Sequence, residues 1–203
     1  MDSEKSQTVL ADVVVGARGW VHQHWMENFY PEDIPEEWRL GYYANEFNTL
    51  LVPWTQWSES VEELEEGLED TADDFHLYLE LPSQQQEIPE HLARIQERVT
   101  GFVCRESDSG KWQAALAGYK VCVLSSLPED NDVFQRFVIS PGDKNHGLVL
   151  INGARIADLS MMREQLEMAL QNTVKRLDII FIDEKPDMEA MQNTRMIAEL
   201  MGA

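Results

Sequence analysis

The chain has 203 residues, 43% of them hydrophobic, and 37 acidic against 16 basic side chains give a formal net charge of −21. This apolar content is enough to bury a core, and the length fits one domain. The charge excludes a nucleic-acid backbone or an anionic membrane surface as the main partner, and no run approaches the ~18 apolar residues of a membrane span.

Residues 1–8 are polar and read as a frayed terminus, with 9–203 as a single domain. Val9–Gly16 is a β-branched run and predicts a buried strand. Residues 20–31 are aromatic and loop-like or briefly helical, with Pro31 and Pro35 as punctuation. From Pro35 the spacing of Leu40, Tyr43 and Phe47 predicts an amphipathic helix, and Thr49–Val52 a second strand. Residues 60–72 predict a helix with Ser60 and Glu63 at capping-box spacing and Val61, Leu64, Leu68 and Ala72 as its inner stripe.

The outer face of that helix is almost all carboxylate. Between Arg39 and Arg94 there are 13 acidic residues and no Lys or Arg. Three readings follow: a docking face for a basic protein partner over residues 60–74, a mimic of a polyanion, or a solvated face that keeps the protein soluble.

Phe75–Leu81 alternates at period two and predicts a third strand. Pro89 opens a helix with Leu92, Ile95 and Val99 inward, followed by strand four at Gly101–Cys104, a short helix over Lys111–Ala117 and strand five at Tyr119–Leu124. Phe134–Ile139 and Leu148–Ile151 are separated by turn chemistry, Pro141–Gly147, too short for a crossover helix, so they predict an antiparallel hairpin. Asp158 or Ser160 caps a long helix to about Arg176, Leu177–Ile182 is the final strand, and Pro186-Asp187 opens the last helix. Cys104 and Cys122 sit in apolar runs and read as buried free thiols. With no signal-peptide pattern at Met1–Lys5, a reducing cytoplasm is expected.

Eight strands, mostly alternating with helices, imply an α/β fold with parallel pairing: a small or irregular (β/α) TIM-like barrel, with a hairpin replacing a crossover helix, or else an open α/β sheet. One segment is more specific. Gly16-x-x-Gly19-Trp20, Trp25, Phe29-Tyr30-Pro31, Tyr43-Ala44 and Phe47-Asn48-Thr49 keep the order and spacing of the opening of the YecE-like family, which this chain resembles over about 40 residues. The resemblance implies a TIM-barrel-like fold and no established function. The C-terminus offers a weaker echo, a hydrophobic strand Ile179–Ile182 followed by Ala190 and Asn193.

The chain departs from the family where polar groups would sit. The family carries Glu-Ile-Asn on strand two, and Leu51-Val52-Pro53 stands there instead; no E-x-R-H-x-x-W segment follows. Thr49 and Thr55 persist, and Trp57 replaces a Tyr. Since barrel chemistry sits at C-terminal strand ends, a degenerate relative is expected, acting through protein contacts or weak ligand binding. The alternative is a small enzyme acting on an anionic metabolite at that mouth. The candidate ligand-binding residues are Arg18, Trp20, His22, Trp54, Glu80, Arg105 and Asp183. Arg18 suits a phosphate or carboxylate, or else an ion pair with a carboxylate of the chain. Asp183 with Glu80 suits acid/base exchange, or else pairing with Arg18 or Arg105. Trp54 and Trp57 suit a flat ligand or a sugar, or else packing in the core or against neighbouring loops. His22-x-His24 lacks a further ligand at metal spacing, so no metal and no cofactor are expected.

Overall fold

The computed structural model describes residues 12–59, 61–83, 87–124, 134–138, 146–156, 158–170 and 175–202. Among the described residues eight strands form one sheet: β1 (Asp12–Arg18), β2 (Thr49–Val52), β3 (His76–Glu80), β4 (Val99–Arg105), β5 (Val121–Leu124), β6 (Phe134–Val138), β7 (His146–Ile151) and β8 (Arg176–Phe181). The helices are α1 (Trp25–Asn28), α2 (Arg39–Glu46), α3 (Trp54–Trp57), α4 (Val61–Glu69), α5 (Leu92–Ile95), α6 (Ser109–Ala115), α7 (Leu159–Leu170) and α8 (Met188–Leu200).

The spatial order is β5-β4-β3-β2-β1-β8-β7-β6. Seven strands are parallel, and β6 runs antiparallel to β7 in the register Phe134↔Ile151 to Val138↔Gly147. The expected hairpin is therefore present. It also explains how a TIM-like fold fits this length: β5, β6 and β7 go up, down and up, so no crossover helix is needed between them. The sheet curls until Cα atoms of β5 and β6 come within 8 Å, yet among the described residues no ladder joins these two edges.

Alternation along each strand divides the core in two. Val15, Ala17, Leu50, Leu77, Leu79, Phe102, Val149, Ile179 and Phe181 face outward under the helices. Leu51, Tyr78, Val103, Cys122, Leu148, Leu150 and Ile180 fill the barrel interior. Leu64 and Leu68 of α4 and Leu40 and Tyr43 of α2 join the outer layer, as their spacing predicts. Ala72 does not: α4 ends at Glu69, and Ala72 is exposed beyond it.

Other boundaries move for physical reasons. Val99 opens β4 rather than closing a helix, because Leu77 of β3 pairs with it. Arg176 opens β8 rather than ending α7 and pairs with Asp12 of β1. His146 belongs to β7, not to the preceding turn, because it pairs with Arg176 of β8. Asp158 caps α7 by accepting from the Met161 N–H at 2.9 Å, and Asp187 caps α8 by accepting from the Glu189 N–H at 3.2 Å. The expected frayed segment 1–8 and the Ser60 cap lie outside the described residues.

Candidate functional site

The sequence expectations converge on the C-terminal mouth of the barrel. Arg18 ends β1 and Glu80 ends β3. The Arg18 Nε and Nη2 both lie on Glu80 Oε2, at 2.7 and 2.6 Å. Both side chains are about a third exposed, 39% and 33%, so the pair contributes at most about 1 kcal/mol. Its chemical effect is larger, because the guanidinium that would clamp an anion is already held by a carboxylate. Arg105, at the end of β4, is exposed.

Trp57 is fully buried and donates from Nε1 to the Glu80 carbonyl at 2.9 Å, and the Trp54 ring stands edge-on to it at 4.6 Å. Trp20 is buried, and its carbonyl accepts the Tyr30 hydroxyl at 2.6 Å. His22 points Nε2 at the carbonyls of Arg18 and Gly19, at 3.1 and 3.3 Å. Burial lowers its pKa, with neighbouring His24 acting the same way and the bond to the Gly19 carbonyl opposing both. His24 donates to the Pro186 carbonyl at 3.0 Å, so the two imidazoles serve backbone groups.

Asp183 follows β8, whose Phe181 pairs with Ala17, the residue before Arg18. Asp183 Oδ2 and Oδ1 accept from the N–H groups of Gly153 and Ala154 at 2.8 and 2.9 Å. It borders a cavity of about 560 Å³ between the segment after β7 and the start of α8, lined also by Asp158, Lys185 and Asn193. The mouth residues thus fall into separate groups: Arg18 with Glu80, Asp183 with its turn, and tryptophans within the packing. Glu80 and Asp183 form no joint acid/base pair among the described contacts.

A second polar cluster, which the sequence did not announce, occupies the opposite, N-terminal end of the barrel interior. Asp178 of β8 is fully buried. Its Oδ2 receives His76 Nδ1 at 2.5 Å, His146 Nε2 at 2.8 Å and the Tyr78 hydroxyl. Its Oδ1 receives Arg176 Nε at 3.3 Å. Burial by itself raises the Asp178 carboxyl pKa, but hydrogen bonds and charge attraction from His146 and His76 outweigh that and hold it below the usual carboxylate range. Burial, then the Asp178 charge, pushes the Tyr78 phenol well up, so it stays a donor. The signal for this cluster was present in one place: Asp178 interrupts an apolar strand, and a buried carboxylate requires partners. His146 was hidden by its position next to turn residues.

The fold and these interior layers define a TIM-like α/β barrel. Residues 14–84 match the model of a family described as "Protein of unknown function DUF72". DUF72 is the family of the YecE-like proteins, so the match falls on the same part of the chain as the motif resemblance. Among solved structures, a DUF72 family protein from Thermotoga maritima MSB8 aligns with a TM-score of 0.62 at 14% identity, covering 95% of this chain and 100% of that one. A DUF72 family protein from Enterococcus faecalis V583 aligns with a TM-score of 0.57 at 9% identity, covering 95% and 98%. No curated protein matches. Among the described residues, no helix is long and apolar enough to cross a membrane.

Proposed function

We propose that this chain is a divergent barrel of the YecE-like type that acts by binding, through protein contacts or a weakly held small ligand, with the strand-two carboxylate chemistry lost. The observation that carries the reading is the occupancy of the mouth. Arg18 is held by Glu80, and Asp183 by two backbone N–H groups. Leu51 is buried in the barrel interior, and Pro53 follows β2 where the family has an amide. General acid/base catalysis needs a group free to exchange a proton with substrate, whereas Glu80 Oε2 carries Arg18 and both Asp183 oxygens carry backbone N–H groups.

The exposed carboxylates of α4, Glu62, Glu63, Glu66 and Glu69, are the face offered to a basic protein partner; Arg94 crosses to it, 2.9 Å from Glu62. A cytoplasmic setting accords with two buried free thiols.

The test is an NMR titration of wild-type protein and Glu80→Gln with phosphate and with a dicarboxylate. The wild type is expected to show no saturable shift at the mouth, and Glu80→Gln, which frees Arg18, is expected to gain weak anion binding. Saturable sub-millimolar binding by the wild type, abolished in Arg18→Ala, would overturn the reading in favour of a small enzyme for an anionic metabolite.

A further inference from the structure

The cluster at the N-terminal end of the strands has no part in the mouth, and its chemistry points elsewhere. We propose that His76 Nδ1, His146 Nε2 and Asp178 Oδ2 form a site for one divalent transition-metal ion of zinc-like character.

Hydrogen bonding alone leaves the cluster over-subscribed. A carboxylate oxygen offers two lone pairs, and Asp178 Oδ2 has three donor groups on it while Oδ1 has Arg176. Three protons aimed at one oxygen also require both imidazoles to hold particular tautomers. A cation at the centre removes the conflict: each neutral imidazole presents a lone pair, and Oδ2 becomes a third ligand. Two imidazoles with one carboxylate are the donor set of zinc and its neighbours, whereas calcium and magnesium take oxygen ligands.

The geometry is within reach. The three donor atoms lie within 4.8 Å of one another. Metal–ligand bonds of about 2.0–2.2 Å place tetrahedral donor atoms about 3.3 Å apart. His76 and His146 stand 2.5 and 2.8 Å from Oδ2, so opening the cluster by less than ~1 Å admits the ion. Their side chains are 16% and 11% exposed and Asp178 is not exposed, so the site has a path to solvent on the histidine side.

The surroundings suit the role. Arg176 holds Oδ1 and thereby orients Oδ2, as outer partners of metal-bound carboxylates do. Asp12 lies 3.8 Å from Arg176, so with neutral imidazoles Asp12, Asp178 and Arg176 leave a net negative charge for the cation. Three protein ligands leave a further position open, and the Tyr78 hydroxyl, 3.3 Å from His146 Nε2, borders it. The ligands come from β3 on one side of the barrel and from β7 and β8 on the other, so the ion would also clamp a sheet whose edges no ladder closes.

Untagged, metal-stripped protein is titrated with Zn²⁺ against a chromophoric chelator, and with Co²⁺ to read its ligand-field absorption. The expected result is one equivalent bound, a raised thermal midpoint, and affinity lowered in both His76→Ala and His146→Ala by more than the roughly 10–100-fold that loss of an outer partner costs. The His22→Ala His24→Ala variant should bind as the wild type does. Asp178→Asn risks the fold by changing a buried anion, so the two partly exposed histidines carry the test, with folding checked by circular dichroism. Absence of stoichiometric binding by the wild type, or undiminished affinity in either single histidine variant, overturns the proposal.

Discussion

The Tyr43 hydroxyl accepts from the Ala17 N–H and donates to the Thr49 carbonyl, each at 2.8 Å, from a fully buried ring on α2. One oxygen thus satisfies a donor on β1 and an acceptor on β2, and burial pushes its phenol pKa far up, so it remains a neutral donor. Tyr43→Phe keeps the packing and orphans both backbone groups, which should cost about 1–3 kcal/mol; a urea melt compared with wild type measures it. Cysteine shows the same dependence on burial. Burial, reinforced by nearby Asp108, pushes the Cys104 thiol up to about 11, and burial chiefly pushes Cys122 up to about 12. Since the thiolate is the nucleophile, native protein at about pH 8 should resist iodoacetamide at both sites, near the free-cysteine pKa of about 8.5. Mass spectrometry should find both alkylated once urea is added. Rapid native alkylation of either would mean that its strand opens.

At the scale of elements, the residues that carry the family resemblance turn out to be structural devices. Gly16 lets β1 and β2 approach: a Cβ there would stand 1.8 Å from the Thr49 carbonyl oxygen. Gly19 takes φ +78° as the chain leaves β1. Trp25 donates to the Pro186 carbonyl at 3.0 Å and ties α1 to the segment after β8. These positions were legible because each solves a backbone problem that few residue types can solve. Gly16→Ala should cost at least the roughly 1–3 kcal/mol of an overpacked core, since the collision is with backbone rather than a flexible side chain. A fall in the thermal midpoint together with loss of amide exchange protection in β2 would check it. A neutral outcome would mean that the β1–β2 spacing is not as tight as described. Element boundaries were less legible. Val99 and Arg176 continue a helical pattern in sequence, and only pairing with neighbouring strands assigns them to the sheet.

For the whole molecule, the charge has a definite placement. Residues 1–100 carry 22 acidic and 5 basic side chains, and 101–203 carry 15 and 11. Among the described residues a minority of the first group are paired: Glu62 and Glu65 with Arg94, Glu36 with Arg39, Glu80 with Arg18, Asp12 with Arg176 and Glu46 with Arg195. Self-repulsion of a net −21 opposes compaction, and salt screens it over a Debye length of ~10 Å at 0.1 M. Raising sodium chloride from about 0.01 M to about 0.1 M, across that change in screening, should therefore raise the thermal midpoint. A midpoint that falls with salt would show that attractive pairs outweigh repulsion.

The sequence by itself determined the parallel α/β alternation, the β6–β7 hairpin, the inner stripes of α2 and α4, and the family-like opening. These are local: hydrophobic period, turn chemistry and cap residues act over a few positions of chain. What gathers at the two ends of the barrel was decided only by tertiary structure. Arg18 and Glu80 are 62 residues apart and His76 and Asp178 are 102 apart. Their meeting follows from the curl and register of a sheet whose inward faces all point at one axis, and no local pattern encodes that convergence. At the C-terminal end the same curl sets Arg18 on Glu80, while Asp183 accepts from the N–H groups of Gly153 and Ala154.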